Sequence, residues 1–118
     1  MSDCNYSMSV TQDLMDCVIV KIEGVVAGDA TPKFRKNLDE IVADENVRRI
    51  ILVLDEMESM SPRAFGIIVS ALIILASRQR KLSVVGPRDN FVKMMKMTGL
   101  NSVVRVFVDL HEARKEAW

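Results

Sequence analysis

The sequence predicts an α/β domain built on a mostly parallel sheet. Short β-branched segments alternate with longer amphipathic ones, the pattern of strands joined by crossover helices. One segment, Arg49-Ile50-Ile51-Leu52-Val53-Leu54, is a continuous apolar run, as a strand covered on both faces requires. The chain has 118 residues, 49% apolar and only 5% aromatic, which is enough for one aliphatic core.

The elements follow in order. Residues 7–14 read as a weak strand that turns at Met15-Asp16 into Val18-Ile19-Val20-Lys21-Ile22-Glu23-Gly24, a β-branched strand closed by glycine. The weak strand is expected antiparallel at an edge. Thr31-Pro32 offers a capping hydroxyl followed by proline in a first turn. Phe34, Leu38, Ile41 and Val42 then recur at i, i+4, i+7 and i+8, so one face of that helix is buried. Lys33, Arg35, Lys36, Asp39 and Glu40 make its solvated face. After the central run comes an acidic stretch, Asp55, Glu56 and Glu58. Ser61, a suitable N-cap, and Pro62, suited to the first helical position, open a very apolar helix running to about Arg80.

Leu82-Ser83-Val84-Val85-Gly86 is the next strand, stopped by Gly86-Pro87. Residues 90–97 form a short helix with Phe91, Met94 and Met95 on one side and Gly99 at its left-handed end. Residues 103–108 are the last strand, and Asp109 caps a terminal helix reaching Glu116. The sum is about five strands and about four helices in one domain spanning 1–118, with residues 1–6 expected as a disordered lead.

Composition narrows the function. Sixteen basic and sixteen acidic residues leave a formal net charge of zero, so no strong field attracts nucleic acid. Residues 1–9 lack the pattern of a secretory leader. The longest apolar run, residues 64–76, falls short of the ~20 needed to span a bilayer. Cys4 and Cys17 read as reduced thiols, which fits a cytoplasmic protein. His111 is the only histidine and sits among charged residues, as a surface histidine does. Neither metal-ligand spacing nor a glycine-rich phosphate loop is present. Asp55, Glu56 and Glu58 crowd the end of the central strand, where acid–base work or a held cation is the sharper reading. With no basic or histidine partner in the local sequence, they read first as a solvated loop that offers a partner a local negative patch. The expectation is a non-enzyme without metal or cofactor.

The helix after Ser61 carries two apolar arcs. Phe65, Ile68, Val69, Leu72, Leu75 and Ala76 form the wide one, which covers the sheet. Ile67, Ala71 and Ile74 lie on another, which either packs on a flanking helix or presents Ile67 and Ile74 as a docking or homodimer face.

The ordered pieces resemble the STAS family, which includes bacterial anti-sigma factor antagonists and the tails of sulfate transporters. The likeness rests on Gly24-Val25-Val26 with Asp29 and Thr31 before a helix, on residues 51–54 as central strand, on Ser83-Val84-Val85-Gly86-Pro87, and on Met97-Thr98-Gly99-Leu100. The family's signature, Asp-Ser-Ser-Gly-Leu-Gly, opens the helix after the central strand, and its first serine is phosphorylated by a partner kinase. A gapless match puts Ser61 on the aspartate, Pro62 on that serine, Arg63 on the second serine, Ala64 on the first glycine and Phe65 on the leucine. Only Gly66 is retained.

The resemblance therefore implies an antagonist that binds an anti-sigma factor or kinase-fold regulator but lacks the usual acceptor. Ser59 and Ser61 stand as displaced acceptors. The contact residues it implies are Asp29, Thr31, Asp55, Glu58, Ser61, Arg63, Ala64 and Phe65, together with Ile67 and Ile74. The alternative is a scaffold or transporter-associated subunit acting through oligomerisation.

Overall fold

The computed structural model describes residues 5–13 and 16–115. Its elements are β1 (Ser7–Gln12), β2 (Cys17–Val26), α1 (Ala30–Ala43), β3 (Arg49–Val53), β4 (Met57–Met60), α2 (Pro62–Ser77), β5 (Lys81–Val85), α3 (Asp89–Thr98), a 3-10 turn (Leu100–Ser102), β6 (Arg105–Phe107) and α4 (Leu110–Lys115). The sheet runs β1-β2-β3-β5-β6, with β4 paired to the far end of β2. Only the β1–β2 pair is antiparallel.

From Val18 onward burial alternates along β2, and this divides the core. Val18, Val20 and Ile22 face α1, α2 and α3, where they meet Phe34, Leu38, Ile68, Leu75 and Phe91. Cys17 and Ile19 face the other side with Ile51, Val53, Val85 and α4. Residues of β3 serve both layers, which explains its unbroken apolar run. Cys17 is a free, buried thiol, and desolvation pushes its pKa up. Cys4, the Met15 half of the expected turn and the last residues of the terminal helix lie outside the described residues. Tyr6, within the stretch expected to be disordered, meets Phe34 edge-on, and its hydroxyl accepts a 2.8 Å bond from the Asn37 amide.

The sheet has one strand more than the sequence suggested. The acidic stretch is not wholly loop: Met57 and Met60 are buried, and residues 57–60 pair with β2 at Gly24↔Met57, Val25↔Ser59 and Val26↔Met60. At ten residues, β2 outruns β3, and β4 fills the vacant edge beside its overhang. Gly24 sits at φ +86° where a Cβ would strike the Asn5 carbonyl, so glycine is required there. The Thr31 hydroxyl does not cap α1. That helix starts earlier, at Ala30, through bonds from Ala30 N–H to Ala27 O and from Thr31 N–H to Gly28 O. Nor does α2 reach Arg80; it ends at Ser77.

Arg80 does a different job. It is buried, and its guanidinium donates to the carbonyls of Val47 (2.7 Å), Val42 (2.9 Å) and Asp44 (2.9 Å). These acceptors lie at and beyond the C-terminal end of α1, where unpaired carbonyls concentrate negative potential. Arg80→Met should therefore lower unfolding stability by roughly 2–4 kcal/mol, because three carbonyls lose a charged donor. The check is the urea midpoint at constant slope; a change under about 0.5 kcal/mol, the size of an ordinary surface substitution, would rule out this role.

Candidate functional site

The paired strand ends place two helix starts side by side. Val26, the last residue of β2, is paired with Met60, the last residue of β4. One chain then leads into α1 and the other into α2. The junction is pinned by the bond from Ser61 N–H to Val26 O, at 3.0 Å. Asn90 of α3 accepts the Met60 N–H through Oδ1 at 2.8 Å, and Arg88 donates to the Asp55 carbonyl at 3.0 Å. The corner is thus built from β2, β4, α2 and α3 together.

Ser61 caps α2 as its sequence position suggests: its Oγ accepts the Ala64 N–H at 3.1 Å, and its carbonyl accepts the Phe65 N–H at 2.9 Å. Pro62 has no N–H to offer. Of the first N–H groups of α2, the Arg63 N–H alone is left without a partner among the described residues. Pro62 and Arg63 are exposed. Ala64 and Phe65 turn inward, with Phe65 edge-on to Phe91 at 5.2 Å between ring centres. They support the corner from beneath, which corrects their placing among surface contacts.

The remaining sequence candidates separate by exposure. Asp29, Asp55 and Glu58 are exposed and Ser59 is half-buried on β4. Thr31 is only 9% exposed. Ile67 is 5% exposed and Ala71 4%, because this arc of α2 packs on α1. Ile74 is 41% exposed and has Ile73, at 65%, as its exposed neighbour rather than Ile67. The apolar surface continues elsewhere, at Val103, Val106 and Val108 around the edge strand β6.

The acidic stretch does have a basic partner, supplied from β2. Lys21 lies 3.4 Å from Glu56 and 3.9 Å from Glu23. Its pKa is raised, mainly by the hydrogen bond to Glu56. Glu23 is pulled down, first by hydrogen bonding with Glu56 and then by the Ser7 hydroxyl. Both are solvated surface groups, so Lys21 offsets one of the two carboxylate charges and the arrangement adds little stability. His111 is exposed, and no group of His, Cys, Asp or Glu among the described residues could hold a metal ion.

Between the two helix starts lies a cleft of about 530 Å³ lined by Gly28, Thr31, Arg35, Ser61, Arg63 and Ile67, with Pro32. The sequence reading left Arg35 on a solvated face. Its spacing from Thr31, i to i+4, was the available signal, since such residues share one side of a helix.

The geometry defines a small α/β domain whose candidate site is a capped helix start with flanking loops. The chain belongs to the STAS domain family, which it matches over residues 7–113. It is 25% identical over 83 residues to a Thermotoga maritima protein that carries the provisional name of anti-sigma factor antagonist, covering 70% of this chain and 74% of that protein. The fold is shared with an anti-sigma factor antagonist from Mycobacterium paratuberculosis (TM-score 0.83, 16% identity, 96% of this chain and 94% of the other). It is shared too with the anti-sigma factor antagonist SpoIIAA in its unphosphorylated form (TM-score 0.78, 15% identity, 92% and 93%).

Ser61→Ala removes the one side-chain cap of α2 and should destabilise the protein by about 1 kcal/mol. Ser61→Asp keeps an acceptor there and should retain most of that stability. Equal thermal midpoints for wild type and Ser61→Ala would contradict the capping role.

Proposed function

We propose that this protein is a non-enzymatic regulatory binding module of the anti-sigma factor antagonist type, acting in the cytoplasm as a single domain. Its partner is an anti-sigma factor or a related kinase-fold regulator. The docking surface comprises Asp29, Ser61 and Arg63 at the corner where α1 and α2 begin, with Glu58 on β4 and Asp55 just before that strand. Binding buries that corner and withholds the partner from its own client.

The observation that carries the reading is Pro62. It stands exposed in the first turn of α2, and the gapless reading of the STAS signature puts it on the phosphoacceptor serine. SpoIIAA itself has been solved unphosphorylated and phosphorylated. A phosphate adds roughly −1.5 to −2 charge to a helix start that also forms a docking surface. Pro62 has no oxygen to receive it, so docking here is constitutive. Ser61 is an inferior acceptor because its Oγ already serves as the cap, and Ser59 is half-buried on a strand.

The test uses purified kinase-fold anti-sigma factors and ATP. Wild type should be captured and remain unphosphorylated. Pro62→Ser should be captured, then phosphorylated, then lose affinity by roughly tenfold or more, as a like-charge clash of a few kcal/mol implies. Phosphate on Ser59 or Ser61 of the wild type would defeat the constitutive reading. Failure to capture any such regulator, where an ordinary antagonist succeeds, would defeat the partner assignment.

A second reading is favoured by the exposed apolar residues Ile73, Ile74, Val103 and Val106. Here the protein is a scaffold or transporter-associated subunit whose copies meet through the solvent-facing side of α2 and the β6 edge. Sedimentation separates the two readings: it requires an oligomer that Ile73→Lys dissolves, and a monomer at micromolar concentration excludes it.

A further inference from the structure

The cleft between the starts of α1 and α2 has the chemistry of an anion receptor. Two arginines line it, Arg35 from α1 and Arg63 from α2. Both are exposed, and neither forms an ion pair among the described residues. Asp29, the carboxylate beside Gly28 in the chain, does not line the cleft. Two arginines therefore line this cleft with no carboxylate in its lining, although Arg35 also borders a groove that holds Asp39 and Glu40.

Thr31 supplies an independent observation. It lines the same cleft, it is nine-tenths buried, and no hydrogen bond of its hydroxyl occurs among the described residues. Its hydroxyl oxygen still reaches solvent, since the fully buried side-chain atoms without a partner among the described residues are Arg80 Nη1 and Ser83 Oγ. Thr31 is the second residue of α1, where a bond from its hydroxyl back to the Ala27 or Gly28 carbonyl would compete with the Ala30 and Thr31 N–H groups those carbonyls already accept. Thr31 makes no such bond, and its donor and acceptor capacity is left to whatever enters the cleft.

Ser61 adds a second hydroxyl. Its oxygen accepts the Ala64 N–H, so its proton is free to be donated. The Arg63 N–H is the remaining open backbone donor at the positive end of the 16-residue α2. Because Pro62 and the Ser61 cap consume the other usual donors, the backbone alone makes a poor cradle. The side chains carry the charge and most of the hydrogen bonds.

We infer that this cleft binds a compact oxyanion through Arg35, Arg63, Thr31 and Ser61. Planar guanidinium forks suit phosphate and carboxylate equally, since both present paired oxygens. At about 530 Å³ the space exceeds what phosphate alone fills, so the anion is either free or a phosphoryl or carboxylate group carried on a larger molecule.

The experiment needs no partner protein, so its failure is separate from failure of the partner capture described above. The ¹⁵N-labelled chain is titrated with inorganic phosphate, with N-acetyl-phosphoserine amide and with N-acetyl-glutamate amide, each against chloride at equal ionic strength. Saturable shifts centred on the amides of Thr31, Ser61 and Arg63 are expected. Arg35→Ala combined with Arg63→Ala should raise the dissociation constant by at least roughly tenfold. Thr31→Val, nearly isosteric, should raise it roughly three- to tenfold with an unchanged thermal midpoint. Tighter binding of either amide assigns a carried group, and equal or tighter binding of phosphate assigns the free anion. Absence of saturable shifts with all three probes, equal shifts with chloride, or unchanged affinity in the double arginine variant would overturn the inference.

Discussion

The length of β2 governs the geometry of the whole corner. Ten residues of strand run beside a five-residue β3, so β2 keeps an unpaired edge after β3 has ended. Buried backbone donors and acceptors have to be matched, and the chain meets that demand by returning as β4. Leu54 N–H is held by Val85 O, Met57 N–H returns to Leu54 O, and Gly24 N–H is taken by Glu56 O. The excursion delivers Met60 alongside Val26. From those adjacent strand ends the two helices must start as neighbours. The cleft, the pair of arginines and the exposed first turn of α2 are consequences of that pairing.

The distribution of charge follows the same logic. The chain is neutral overall, yet its sequence spacing conceals two local arrangements of opposite sign. Glu56 and Glu23 are bridged by Lys21 on the outer side of β2, a solvated group that keeps one net negative charge. Arg35 and Arg63, which are 28 positions apart in sequence by their numbers, come to one cleft and have no carboxylate partner there. A neutral average therefore says little about what each surface can hold. Across a few ångströms the local arrangement wins, because screening erases only the longer-range field.

Much of this was legible in the chain and some of it was not, for identifiable reasons. The apolar run of β3, the Ser61-Pro62 start of α2 and the left-handed Gly99 (φ +75°) after α3 are local signals, and each appears where its residues place it. Asp109 likewise caps α4, accepting the Glu112 N–H. By contrast, β4 hides because its two buried methionines are three apart and flank an exposed glutamate, a spacing with no strand period. The strand exists through its pairing with β2, which is tertiary. The helical wheel of α2 revealed two apolar arcs but could not say that α1 covers Ile67 and Ala71. Arg80 was unreadable as a buried cap, since the carbonyls it serves lie 33 to 38 residues upstream.

Pro62 and the cleft bear on each other through the electrostatics of the α2 start. A seryl phosphate places its charge covalently at the end of a helix whose dipole already favours an anion. Once proline stands there, that charge has no covalent anchor, and one backbone donor is gone as well. The same turn nevertheless gains a guanidinium at Arg63, opposed across the cleft by Arg35. On the proposed reading, the positive potential at this corner is met by something that arrives from outside and not by a modification of the chain. An acidic side chain on a docking protein and a free oxyanion would compete for one set of donors. On that basis the two proposals are coupled: occupancy of the cleft by a free anion opposes docking by an acidic partner, and docking expels the anion.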